Sequence, residues 1–255
     1  MSAIYTLARH TLRTYLQEKI LLVVLVFGGL LMLSSYVLSP LAVGAQLKIV
    51  LDIGLASVSI FSVVLIVLLG AGSFHLEKER GILRSLLAKP ISRVDFILGK
   101  YLGTFAVACI VIVLMAVLHM LVLVLCGAPI THQMLWAEYV TILEAALVTA
   151  LLTLFACFTS PVLGSFFTVA CVVCGHFSAD LLQFATRFST GATHALVTAF
   201  YYALPNLGLL SLRSEAVHNL DIPPGMLLAV TAYTLAYTGV LLYVSTLIFR
   251  AREVS

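Results

Sequence analysis

The sequence predicts an all-α membrane protein of six transmembrane helices, and three observations carry the prediction. Of 255 residues, 62% are hydrophobic and 10% are charged, with a mean hydropathy of +1.15, which is more apolar surface than one water-soluble core can hide. Six stretches, 20–38, 51–74, 94–125, 134–158, 162–182 and 226–249, reach the roughly 20 apolar residues that cross a hydrocarbon core of about 30 Å. Lysine and arginine gather at alternate connections between them, as the positive-inside pattern requires.

Residues 1–19 place Ile4, Leu7, Ala8, Leu12, Tyr15 and Leu16 at spacings of three and four, opposite Arg9, His10, Arg13 and Gln17. That pattern predicts an amphipathic helix lying in the membrane interface. The first span follows basic residues as a signal peptide would, but its 19 residues exceed a usual h-region, so it reads as a retained helix. The third span is long enough to tilt or to project beyond the bilayer. Only Thr159-Ser160-Pro161 separates the fourth from the fifth, and proline there marks a tight reversal.

Starting inside, the inner segments hold eleven lysines and arginines against Lys48, Arg187 and Arg213 outside. Both termini are therefore expected in the cytoplasm, with the chain multi-pass in a cytoplasmic (inner) membrane. Trp136 and Tyr139 suit an interfacial aromatic position at the outer start of the fourth span. A net charge of +3, placed in this way, is a topology signal and excludes nucleic acid as a partner. Five cysteines form no spaced framework and are expected as free thiols. Cys171-x-x-Cys174 with His176 can be drawn as a soft-metal site, but small residues on an apolar helix also pack well, and no metal is expected.

Residues 75–93 are the only strongly charged stretch. Leu76, Leu83, Leu86 and Leu87 share a face, with Glu77, Lys78, Arg80, Arg84 and Lys89 around the remainder and Pro90 at the end. This is an amphipathic surface helix on the cytoplasmic side. Ser92 is placed to cap the next helix, with Asp95 three residues on and Ile91 positioned to touch Phe96. A joint this sharp can carry a push from a docked protein into the membrane. The alternative is a basic loop resting on anionic headgroups, which leaves Glu77, Glu79 and Asp95 unexplained.

Residues 183–225 form an outer connection too apolar for a plain turn. Ala192 to Ala203 is helix-compatible but too short to cross, so a re-entrant or interfacial helix pair is expected, broken at Pro205-Asn206, with a second short helix from Leu207 to Val217. Ionisable groups inside a bilayer are costly and mark either a pathway or a helix-to-helix hydrogen bond. Glu144 falls near mid-depth of the fourth span, and both readings stay open for it. His176 and Asp180, four apart in the fifth span, are placed to bond each other. Glu138 and His119 are expected near the outer headgroups, without a special role. Gly99-x-x-x-Gly103 permits close helix packing.

The run Glu77-Lys-Glu-Arg-Gly-Ile-Leu-Arg-Ser-Leu-Leu-Ala-Lys-Pro-Ile-Ser-Arg resembles the segment between the second and third spans of ABC-2 type transporter permeases. Phe158-Thr-Ser-Pro-Val-Leu-Gly-Ser-Phe-Phe-Thr, Gly175-His176 and Tyr201-Tyr-Ala-Leu-Pro-Asn-Leu207 resemble later motifs of a branch that includes sodium- and drug-exporter permeases and the permease of nitrous-oxide-reductase maturation. The resemblance implies six helices per subunit, a second permease copy forming a homodimer or heterodimer, and a separate cytoplasmic ABC ATPase. The 75–93 segment would be the coupling helix, with Glu77, Glu79, Arg80, Gly81 and Arg84 facing that ATPase. It also implies that the outer segment lines or closes the outer end of the path, the alternative being a structural plug that merely packs; Pro205 and Asn206 thereby join the intramembrane Glu144, His176 and Asp180 as candidates for the translocation pathway or gate.

The chain carries no G-x-x-x-x-G-K-[ST], and Gly70-Ala-Gly72 is followed by Ser73-Phe74-His75 rather than a phosphate-binding lysine. No catalytic residue or cofactor is expected here, and ATP with Mg belongs on the partner. The leading expectation is the permease subunit of an ATP-driven ABC exporter. An intramembrane enzyme using Glu144, His176 and Asp180, or a non-transporting scaffold that docks a soluble protein, are the alternatives. Substrate identity is not encoded in any of these patterns.

Overall fold

Helix formation follows the local rules at the one joint where they are sharpest. Ser92 has extended backbone angles and its hydroxyl accepts the Asp95 N–H at 3.1 Å, with Asp95 in the first turn. Both groups complement the exposed N–H groups and positive end of the helix that begins at Arg93. The computed structural model describes residues 3–38, 46–79, 92–178 and 204–252, together with Asp180, Arg187, Val197, Thr198 and Tyr201, and only the backbone of Ala3, of 71–79 and of Arg252.

Eight helices stand among the described residues: α1 (Ala3–Leu16), α2 (Lys19–Leu38), α3 (Gln46–Glu79), α4 (Arg93–Leu125), α5 (His132–Phe158), α6 (Pro161–His176), α7 (Arg213–His218) and α8 (Pro224–Arg252). A single 3-10 turn, Leu207–Leu210, precedes α7. Five of these, α2, α3, α4, α5 and α8, are long and apolar enough to cross a membrane. The expected fifth span of 162–182 is shorter than its apolar run suggested: α6 has 16 residues and closes at Phe177, whose N–H reaches the Val173 carbonyl. At 1.5 Å per residue it covers about 24 Å, less than a hydrocarbon core of about 30 Å. The chain beyond residue 204 returns to pack on this helix. The Pro205 carbonyl and Leu207 press on Gly175, where a Cβ would come within 2.7 Å of that carbonyl.

The second short helix expected over Leu207–Val217 is divided into the 3-10 turn and α7, with Leu207, Leu210 and Leu212 buried. Asn219 ends α7 in the left-handed conformation that asparagine tolerates. The first, over 192–203, lies almost wholly outside the described residues.

α5 is the centre of the bundle, packed against α3, α4, α6 and α8. Some 78% of its apolar window is buried, against 33% for α2 and 22% for α8, which leaves those two at the periphery. Between apolar helices in lipid, burial supplies little net hydrophobic drive, so close packing by small residues matters more. α5 meets that need with Ala145, Ala146 and Ala150, all buried. Its Thr141, Thr149 and Thr153 hydroxyls donate to carbonyls one turn back at 2.7–3.0 Å, which satisfies them without partners from other helices.

The N-terminal helix does more than lie in an interface. Leu7, Thr11 and Tyr15, four residues apart, are buried against α4. Gly99 and Gly103 make the approach possible: a Cβ on either would meet Leu7 or Thr11 at 2.5–2.6 Å. Nearby, Arg93 donates to the Arg250 carbonyl at 3.0 Å and Phe96 stacks on Phe249 at 5.7 Å, which ties the start of α4 to the end of α8.

The charged stretch does not begin as a separate element. α3 runs unbroken from Gln46 to Glu79, so His75 to Glu79 belong to the same helix as the second span. Arg80, Gly81, Arg84, Pro90 and Ile91 lie outside the described residues, as does the remainder of the expected coupling helix.

Candidate functional site

Glu144 lies twelve residues into α5, at about 18 Å along its axis by the 1.5 Å rise, and is 1% exposed. A carboxylate at that depth is costly unless other groups compensate it. Ser59 on α3 donates its hydroxyl to Oε2 at 3.1 Å. His176, the last residue of α6, brings Nε2 to 3.0 Å from Oε1, yet Oε1 accepts no hydrogen bond. Three helices thus converge on one carboxyl group, leaving one of its oxygens with hydrogen-bonding capacity to spare.

That oxygen belongs to a residue lining a cavity of about 280 Å³. Leu55, Ala56 and Ile60 of α3 and Ala137 of α5 supply apolar wall, Ser59 and Thr141 supply hydroxyls, and Gly208, Leu210 and Leu212 complete the lining. A more open cleft of about 580 Å³, bordered by Lys48, Asp52 and His218, shares Ser211 and Arg213 with it. Arg213 of α7 is bonded through Nε and Nη2 to both oxygens of Asp52 on α3, a bidentate pair at the shared wall.

Of the residues singled out in the sequence, Glu144 and His176 come together here. His176 faces Glu144 rather than Asp180 of its own segment, which is exposed. Pro205 sits behind the cavity through its carbonyl against Gly175, and the Asn206 N–H donates to the Tyr233 hydroxyl of α8 at 2.9 Å. Glu77 and Glu79 fall on the last turn of α3, away from this site. Cys171 and Cys174 are half-buried free thiols.

A second carboxylate–imidazole pair, expected to have no special role, is buried between helices. His119 of α4 is fully buried, with Nδ1 at 3.4 Å from Oε1 of Glu138 on α5, itself 6% exposed. Gly54 of α3 packs against the imidazole so closely that any Cβ would overlap Nε2. One sequence signal can find this pair. His119 is six residues before the end of α4 and Glu138 six after the start of α5, so the short turn joining the helices sets both at one depth.

Several apolar spans, with polar groups gathered on an internal cavity, form the architecture of a multi-pass membrane transport protein. The chain belongs to the ABC-2 family of transporter proteins, whose pattern matches residues 6–254, and it is a membrane permease of an ABC transporter. No curated protein matches it.

Proposed function

We propose that this permease works as an exporter driven by a separate cytoplasmic ABC ATPase, paired with a second permease copy as a homodimer or heterodimer. It would lie in the cytoplasmic membrane with both termini inside, and ATP and Mg would be held by the ATPase. The observation that carries the reading is the continuity of α3. One helix bears Asp52 and Ser59 beside the cavity and runs on to Glu79, at the start of the segment resembling a coupling helix. From Ser59 to Glu79 is about 30 Å along the axis, so a displacement imposed at the charged end reaches the cavity through unbroken backbone hydrogen bonds. Closure of two ATPase subunits around ATP would push on 75–93, move α3 against α5 and α6, and change access to the Glu144 cavity.

Copurification with the ATPase, followed by ATP hydrolysis in proteoliposomes, tests this. Glu79→Ala combined with Arg80→Ala is expected to abolish the permease's stimulation of ATP hydrolysis while the bundle stays folded. Stimulation equal to the unaltered protein would refute the coupling role.

A further inference from the structure

We propose that the Glu144 cavity binds a small amphiphilic monocation, with an ammonium group at Oε1 of Glu144, beside the His176 imidazole, and an apolar body against Leu55, Ile60 and Leu210. The charge balance points to this ligand class. Among the described lining residues, Glu144 is the one carboxyl group and Arg213 the one guanidinium, and the arginine is committed to Asp52 through two hydrogen bonds. What remains is a carboxylate with one oxygen bonded by Ser59 and the other, Oε1, buried without a hydrogen bond. An acceptor in that state favours a donor that also carries positive charge.

An anion would meet the carboxylate with no free cation to offset it, and a neutral apolar molecule would leave Oε1 unsatisfied. His176 sets the limit on size and on charge. Its imidazole occupies one side of Oε1, which leaves room for one donor group, and the cavity of about 280 Å³ lies at the small end of ligand pockets. This deepens the exporter reading by naming its substrate class, and it rests on that reading only for the direction of movement.

Benzylamine, charged at neutral pH, is the probe, and benzyl alcohol is its neutral counterpart of similar shape. Titrated calorimetrically into the purified permease in detergent, without ATPase, benzylamine is expected to bind saturably and benzyl alcohol not to. Glu144→Gln keeps the side-chain shape and an oxygen for Ser59, and should weaken benzylamine binding at least tenfold without changing the thermal unfolding midpoint. His119→Leu, which alters the other buried pair, should leave the affinity unchanged in whatever folded fraction is recovered. Equal binding of the alcohol, or undiminished binding to Glu144→Gln, would overturn the cation site. Either outcome leaves the coupling role standing, since that depends on ATPase stimulation; failed stimulation with intact benzylamine binding would retire the exporter and keep the site.

Discussion

α5 carries two carboxylates six residues apart, and the bundle treats them in opposite ways. Each meets a histidine from a neighbouring helix. Glu138 and His119 are closed in, with the imidazole fully buried under Gly54, and neither lines the Glu144 cavity. Glu144 and His176 have the same chemistry about 9 Å further along the helix, yet face a cavity, and the imidazole is 32% exposed. The difference lies in what covers each pair. A glycine lets α3 close directly over His119, whereas α6 ends at His176 and the 3-10 turn spans the gap without filling it. Identical residue types thus hold two helices together in one place and present a ligand site in the other.

The strongest way to break the comparison is to attack the closed pair. Gly54→Val places a branched side chain in the space of the His119 ring and is expected to destabilise the protein by about 3 kcal/mol or more, seen as loss of monodisperse material on gel filtration. Next in size, His119→Ala leaves a void and an unpartnered Glu138. A fall in stability of about 2 kcal/mol is expected by thermal unfolding in detergent, with cavity function preserved in the folded fraction. Glu144→Gln should do the reverse, changing stability by less than about 1 kcal/mol while reducing transport at least tenfold in proteoliposomes. Smallest is Asp52→Asn at the wall shared by the two cavities. Its pair with Arg213 is about two-fifths exposed, and water screening keeps its contribution below about 1 kcal/mol.

The contrast between the two pairs also shows what the sequence alone conveys. Five long apolar runs announce their helices because lipid demands internally bonded backbone wherever they cross. Ser92 and Asp95 announce the start of α4, because capping is decided within four residues. The end of α6 is not announced: the apolar run continues past Phe177, and the contact that Pro205 and Leu207, some thirty residues away, make with Gly175 has no local signal. Glu144 stands out in sequence through its burial cost, but its partners do not, since Ser59 and His176 are 85 and 32 residues distant. Gly99 and Gly103 signal close packing without saying that α1, rather than another span, is what they receive. His119 and Glu138 each read alone as polar residues near a helix end, and only the short turn between α4 and α5 brings them to one level as a pair.

ATP hydrolysis by the reconstituted transporter, measured with and without benzylamine, tests the central claim most directly by joining the cavity to the charged end of α3. Benzylamine is expected to stimulate hydrolysis by the unaltered permease and to have no effect with Glu144→Gln, whose basal rate and assembly with the ATPase stay the same. Equal stimulation of both proteins would contradict the account, because the signal reaching the ATPase would then arise somewhere other than the Glu144 cavity.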